Sequence, residues 1–153
     1  MIKSFRGKLA PTQKDRIRLS SNNGLKGYKI KKFEVLESAP GTLDSQTVAK
    51  IFTTDPDSSN PAGGTATVDF TDPTLLAALY QKIGNSGGDP AEVIVIFDNM
   101  VFNQDIFITM ADGASNTADV NYYIELESMA LSKDEATMAT LKDMRAGPAS
   151  FAP

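Results

Sequence analysis

Apolar and polar side chains alternate with a period of two in several short runs of this chain, and that alternation predicts half-buried β-strands. In the run from Ser4 to Leu9, Arg6 and Lys8 fall on one side and the apolar side chains fall on the other. The longer run Val120–Leu131 repeats the pattern. Because residues typical of turns separate these runs, the chain is constrained to a fold built mainly from antiparallel strands.

The alternation and the turn signals place the predicted strands along most of the chain. They cover residues 2–9, 15–20, 27–37, 47–54, 66–70, 92–98, 100–110 and 120–131. The short connector Ala10–Gln13 predicts a hairpin between the first two strands. The strand 27–37 stays in phase only with a β-bulge near Lys31. The strand 92–98 is apolar on both faces and is expected to be buried, whereas 100–110 fits one bent strand or two short ones.

Two short helices are predicted from their start and stop signals. Asp72 is a plausible N-cap and Pro73 suits a first helical position, which predicts a helix near 73–82. Ser132 followed by Glu135 forms a capping box, which predicts a helix near 133–145 that ends at Gly147. The fold class expected is therefore mainly β, an antiparallel β-sandwich or jelly roll with these two helices.

The length of 153 residues suits one ordinary domain with a core of its own. We expect that domain to cover residues 1–147, with basic N-terminal strands and a flexible tail at 148–153. The opening residues lack the apolar segment of a signal peptide, and no run is long enough to span a membrane.

The chain contains no histidine and no cysteine. This excludes Ser–His–Asp catalysis, thiolate nucleophiles, disulfides and the commonest transition-metal sites. We therefore expect no enzymatic activity, no cofactor and no metal. The loop Asp55–Asn60 lacks the glycine and the bidentate glutamate of a calcium loop, and the group Asp112, Asn116 and Asp119 suits a solvated turn. A calcium- or glycan-binding module that uses these acidic loops is the weaker alternative.

Positive charge is concentrated at the N-terminus. Residues 1–32 hold ten of the 15 Lys and Arg residues but one of the 19 acids, although the net charge is −4. Three interpretations are open: a solvated strand face, a basic surface that docks on an acidic neighbour, or contact with nucleic acid. Since the chain is acidic overall and carries no nucleic-acid-binding motif, we do not expect nucleic acid as a partner.

The alternation predicts where these basic side chains lie. If the N-terminal strands are neighbours, one sheet face carries six of them: Arg6, Lys8, Arg16, Arg18, Lys29 and Lys31. Like charges on adjacent strands repel each other unless an acidic surface covers them. We therefore predict that these residues bind a partner, together with Tyr123, which lies on the polar side of its strand beside two acids.

Three stretches of the sequence carry a resemblance to a known group of proteins. They are the opening Met1–Leu9, the segment Phe97–Thr109, and Asn121–Glu127 followed by Leu131–Thr137. In these stretches the chain resembles small virion proteins of marine tailed bacteriophages, and the resemblance spans most of its length. No functional residues of that group can be transferred to this sequence.

The resemblance implies a structural protein of the virion, assembled in the host cytoplasm. A domain of this size in a virion most often decorates or cements the capsid, as a homo-oligomer for which a trimer is favoured. Its partners would be the major capsid protein or other virion proteins. The alternative is a tail component, such as a tube, adaptor or fibre-anchoring protein.

Overall fold

The computed structural model describes residues 1–11, 13–19, 24–40, 44–55, 67–84, 90–97, 99–113 and 119–145. Within these ranges the chain forms eight strands and one helix. The strands are β1 (Ile2–Leu9), β2 (Lys14–Ile17), β3 (Lys26–Glu37), β4 (Ser45–Phe52), β5 (Leu75–Ile83), β6 (Ala91–Ile96), β7 (Ile106–Asp112) and β8 (Val120–Ala130). The helix α1 spans Lys133–Arg145. The tail predicted at 148–153 lies outside the described residues.

The strands form two antiparallel sheets, so the prediction of a mainly β protein is confirmed. The three-stranded sheet has the order β1-β8-β3, and the five-stranded sheet has the order β2-β7-β4-β5-β6. The long strand predicted at the C-terminal end is confirmed as β8, which lies at the centre of its sheet. Along β8 the residues are alternately buried and half-buried from Val120 to Glu127, as the period of two requires.

Both sheets contribute their inner faces to one hydrophobic core. The largest fully buried side chains of that core come from both sheets and include Ile30, Phe33, Ile124 and Leu126 on one side and Ile51, Leu79, Ile106 and Met110 on the other. Each Å² of apolar surface that this burial removes from contact with water stabilises the fold by about 25 cal/mol. The shared core therefore holds the three-stranded sheet in a fixed position against the five-stranded one.

The β-bulge predicted near Lys31 is confirmed. The pairing of β3 with β8 shifts between Ile30 and Lys32, where Ile30 faces Leu126 and Lys32 faces Glu125. The extra residue lets both halves of β3 bury their apolar side chains on the same side, although their positions in the sequence differ in phase.

The helix predicted near residues 73–82 is wrong, because Leu75–Ile83 forms β5 between β4 and β6. Asp72 caps a turn instead of a helix: its carboxylate accepts hydrogen bonds from the backbone N–H of Thr74 (2.8 Å) and from the Thr74 hydroxyl (2.7 Å). The first five residues of β5 are all buried, so the strand has apolar residues on both faces. Such a run has no alternation that would distinguish it from a buried helix.

The hairpin predicted between residues 2–9 and 15–20 is also wrong. β1 pairs with β8, and β2 pairs with β7 in the other sheet. The connector between β1 and β2 therefore leads from one sheet to the other. The strand predicted over 66–70 is absent from its described part, residues 67–70.

The strand predicted over 92–98 exists as β6, but it is not buried. It forms one edge of the five-stranded sheet, and Val93 is 58% exposed. The predicted region 100–110 contains an isolated bridge from Phe102 to Tyr28, followed by β7. The prediction that β6 is buried was wrong, because apolar residues on both faces do not indicate whether a neighbouring strand is present on each side.

The capping box of α1 is confirmed. The Glu135 backbone N–H donates to Ser132 Oγ (3.2 Å), and the Ser132 backbone N–H donates to Glu135 Oε1 (3.3 Å). The helix contacts the rest of the domain through Ala136, which is 5% exposed, whereas Met138 and Leu141 face solvent.

A fully buried amide joins α1 to the strands. Asn103 Nδ2 lies 3.1 Å from Gly24 O, 3.2 Å from Ala136 O and 2.8 Å from Thr140 Oγ1. Gly24 has a φ of 65°, a left-handed conformation that glycine adopts without strain. Asn103 therefore connects the residues before β3 with two turns of the helix.

A tyrosine joins the two sheets. The Tyr122 hydroxyl, on β8, donates a 2.6 Å hydrogen bond to Asp15 Oδ2, on β2. Its ring passes Gly7, where a Cβ would lie 2.5 Å from the hydroxyl oxygen, so a side chain at position 7 would displace the ring. Burial raises the pKa of Tyr122, and the Asp15 carboxylate raises it further.

We expect Tyr122→Phe to change how stability depends on alkaline pH. An unfolded tyrosine ionises near pH 10, whereas the folded protein keeps Tyr122 protonated, so this residue costs stability as pH rises above 10. Wild type should exceed the variant by about 1 kcal/mol at pH 8. This difference should fall by about 1.4 kcal/mol by pH 11, which leaves wild type about 0.4 kcal/mol less stable than the variant. Urea unfolding of both proteins from pH 8 to 11 measures the difference between their free energies of unfolding.

The lowered pKa of buried Lys50 acts in the opposite direction, but it is common to both proteins and cancels in their difference. Tyr80→Phe is the control, because it leaves the contact between Tyr122 and Asp15 in place. A wild-type advantage that stays constant from pH 8 to 11 would contradict the prediction.

Candidate protein-binding site

The seven residues predicted to bind a partner are divided between the two sheets. The outer face of the three-stranded sheet carries Arg6, Lys8, Lys29, Lys31 and Tyr123. Arg16 lies on β2, in the five-stranded sheet, and exposed Arg18 directly follows β2. The prediction of a single basic face made from all three N-terminal strands is therefore wrong, because β2 pairs with β7 and not with β1.

Arg16 is held by a carboxylate of the segment that precedes β7. Its Nε donates to Asp105 Oδ2 at 2.7 Å, and its Nη2 lies 2.6 Å from the same oxygen. Asp105 is 7% exposed and also accepts a 2.7 Å hydrogen bond from the backbone N–H of Leu19. The three groups fasten the residues after β2 to the segment before β7, so we assign Arg16 a structural role.

Acidic residues of β8 lie beside the basic residues of β3. The register places Glu125 between Ser4 and Lys32, and it places Glu127 between Ile2 and Lys29. Lys31 Nζ lies 3.3 Å from Glu127 Oε2. Part of the acidic cover that the sequence led us to expect from a partner is thus supplied by the central strand of the same sheet. Exposed pairs of this kind contribute little to stability, at most about 1 kcal/mol each.

The other half of this face forms a shallow groove of about 660 Å³. We call it the sheet groove, and its outward side chains are Arg6, Lys8, Glu34, Leu36, Asn121 and Tyr123. The register explains the grouping: Tyr123 lies between Arg6 and Glu34, and the next row places Asn121 between Lys8 and Leu36. Leu36 is 54% exposed, so the groove combines an apolar side chain with charged ones.

Tyr123 lies at the centre of the sheet groove. Its hydroxyl donates a 2.7 Å hydrogen bond to Glu125 Oε1, and this bond raises the pKa of Tyr123. The carboxylate fixes the phenol in its protonated form and orients the ring on the sheet. A rigid tyrosine offers apolar contact area at a small cost in conformational entropy.

Arg6 and Lys8 project from β1 on the exposed side of the sheet. In the part of the chain that the structure describes, neither side chain forms a salt bridge. Their pairing neighbours on β8 are Tyr123 and Asn121, which are uncharged. Glu34 lies beyond Tyr123 in the row of Arg6, but its carboxylate pairs with Lys32 at 3.4 Å. This half of the face is therefore the part suited to an acidic partner.

The described ranges contain no group of three or more acidic side chains placed to hold a metal ion. Most of the loop Asp55–Asn60 and residue Asn116, both considered for calcium, lie outside those ranges. None of the described helical segments has the length and apolar character required to cross a membrane.

The sequence indicated Arg6, Lys8 and Tyr123, but it did not indicate Glu34, Leu36 or Asn121 as members of the same site. They meet because β8 inserts between β1 and β3, a pairing for which the sequence carries no local signal.

No family model matches the chain, and no curated protein matches it.

Proposed function

We propose that this protein is a virion structural protein without enzymatic activity, which binds and stabilises a phage head as a decoration or cement protein. The resemblance of Met1–Leu9, Phe97–Thr109, Asn121–Glu127 and Leu131–Thr137 to virion proteins of marine tailed phages supports the virion assignment. The observation that carries the binding role is the sheet groove, where Arg6 and Lys8 extend beside Tyr123 on a rigid sheet.

The chemistry of the sheet groove fits a protein partner. Tyr and Arg are enriched at protein interfaces, and a central tyrosine surrounded by charged groups resembles an interface anchor with a polar rim. The two basic side chains select an acidic surface, such as a carboxylate-rich region of the major capsid protein or of another virion protein. Since the chain has no histidine and no cysteine, we assign the groove to binding and not to catalysis.

We also propose that the two sheets form a β-sandwich of jelly-roll type in which one strand has changed partner. An eight-stranded jelly roll pairs strands 1 with 8, 2 with 7, 3 with 6 and 4 with 5. The pairs β1–β8, β2–β7 and β4–β5 support this assignment. β6 pairs with β5 instead of β3, although it still approaches β3 across the core. Jelly rolls are common in viral capsid domains, but a fold alone does not establish a function.

Binding of purified protein to heads that lack it tests the proposed site. We expect the double variant Arg6→Glu/Lys8→Glu to bind about 10- to 100-fold more weakly than wild type, because reversed charges repel an acidic partner. Lys82→Glu/Lys133→Glu is the matched control: it also reverses two charges, at lysines that lie outside the sheet groove and were not predicted to bind a partner. Equal binding by the double variant and wild type would contradict the proposed site.

The number of copies per particle tests the position in the virion. A decoration protein is expected in hundreds of copies, which can be counted against the major capsid protein in purified particles. A count of a few to some dozens, with density in the tail of a cryo-electron map, would favour the alternative of a tail component. An oligomer on the head surface, for which we expect a trimer, would be visible in the same map.

A further inference from the structure

The edge strand β6 lacks the features that usually protect a sheet edge. Among the described strands it pairs with β5 on one side and is the last in the sheet order. Its sequence, Ala91-Glu92-Val93-Ile94-Val95-Ile96, contains a single charge. Val93 is 58% exposed and Ile94 is 37% exposed. Natural edge strands normally carry lysines, prolines or bulges that prevent pairing with another chain.

The hydrogen bonding of β6 indicates which of its backbone groups face the open edge. The Phe97 N–H donates to Leu76 O at 3.0 Å, in the same register that pairs the rest of β6 with β5. Backbone groups of an antiparallel ladder point alternately to one side and to the other. Val93 and Val95 therefore bond towards β5, while the N–H and C=O groups of Ile94 point to the open edge.

We propose that β6 pairs with β6 of a second copy of this chain, antiparallel and centred on Ile94, so that two five-stranded sheets become one continuous sheet. The core of the strand, Val93-Ile94-Val95, reads the same in both directions. A two-fold axis through Ile94 therefore sets Ile94 opposite Ile94 of the second copy and Val93 opposite Val95. Such isologous contacts are typical of two-fold dimers.

This register is also free of charge conflict. Glu92, the single charge of β6, faces Ile96 of the second copy and not the other Glu92, and it already accepts a 2.9 Å hydrogen bond from Gln81. The other three edge strands are less suited to self-pairing. β1, β2 and β3 each carry at least two Lys or Arg residues, which would approach one another in an antiparallel dimer.

An apolar strip beside β6 extends the surface that the second copy would cover. Val93 and Val95 lie on the same outer side as Phe97, whose ring meets Phe70 edge-on with centroids 5.4 Å apart. Phe70 is 56% exposed. Because the two-fold axis keeps the outer sides of both sheets together, the valines of both copies would form one row between the two phenylalanine pairs.

Sedimentation equilibrium of the full chain tests the proposal. We expect the mass to rise from the monomer value of 16.4 kDa to twice that value with a dissociation constant of about 10 to 100 µM, since an edge pairing of this length is a small interface. Val93→Lys and Ile94→Pro should both remain monomeric up to about 1 mM. Proline at 94 removes an N–H that points away from β5, so it is tolerated at the edge of the monomer. Ile2→Lys, which changes a similarly exposed residue on β1, should dimerise like wild type.

Cysteine cross-linking tests the register, because the natural chain has no cysteine. Opposed hydrogen-bonded residues have Cα atoms about 5.5 Å apart, within reach of a disulfide. Ile94→Cys should therefore form a disulfide dimer on mild oxidation, whereas Ala91→Cys should not. A wild-type monomer at 1 mM, a dimer that persists in Val93→Lys and Ile94→Pro, or equal cross-linking at both positions would overturn the proposal.

Discussion

Replacing Asn103 with aspartate is expected to destabilise the fold by about 3 kcal/mol at pH 7. The native amide is fully buried and faces three oxygen atoms, those of Gly24, Ala136 and Thr140. A carboxylate of the same size would present oxygen to oxygen in that site, without the N–H donors and with a buried negative charge. Urea unfolding at pH 7 measures the loss.

The same variant should recover stability in acid. Burial would raise the folded-state pKa of an aspartate at position 103, so the folded protein would bind a proton more tightly than the unfolded chain. The deficit relative to wild type should therefore shrink as pH falls from 7 to 4. Asn121→Asp makes the same change at a half-exposed position on β8 and should cost less than about 1 kcal/mol at either pH. A deficit that is independent of pH would show that lost packing, and not a buried charge, dominates.

Replacing Asp105 with alanine is expected to cost about 3 kcal/mol at pH 7. The change removes the partner of the Arg16 guanidinium and leaves the backbone N–H of Leu19 without its 2.7 Å acceptor. Arg16 is half-exposed and can regain water, so most of the loss should come from the buried amide of Leu19. The midpoint of urea unfolding reports the change.

Asp105→Asn separates the two contributions. An asparagine keeps an acceptor for Leu19 but loses the charge that pairs with Arg16, so we expect it to cost about 1 kcal/mol. Equal losses in Asp105→Asn and Asp105→Ala would mean that the ion pair, and not the hydrogen bond to Leu19, stabilises this part of the fold.

Local signals in the sequence were sufficient to predict the structure where residues close together in the sequence determine it. The bulge of β3 follows from a phase change at Lys31, and the start of α1 follows from the reciprocal hydrogen bonds of Ser132 and Glu135. Both features depend on residues within a few positions of each other. The alternation along β8 likewise distinguishes its buried face from its half-exposed face without reference to the rest of the chain.

The predictions from sequence were wrong where contacts between residues distant in the sequence determine the structure. Asp72 and Pro73 suggest a helix start, but pairing with β4 and β6 on either side makes the following segment a strand. β6 is as apolar as a buried strand, and only the sheet order reveals that β5 is its one neighbour among the described strands. The sheet groove depends on β8 lying between β1 and β3. The sequence therefore indicated the residues of its β1 side and Tyr123, but it missed Asn121 and the β3 side.

The position of β1 beside β8 also has a consequence for biosynthesis. Leu9 pairs with Val120, so β1 leaves the ribosome more than 100 residues before the strand that completes its backbone hydrogen bonds. At about 5 to 20 residues per second, its apolar side chains remain uncovered for about 5 to 20 s. A fold dominated by such non-local pairings has a high contact order and folds slowly. Among the described strands, β1 therefore waits longest for its pairing partner during translation.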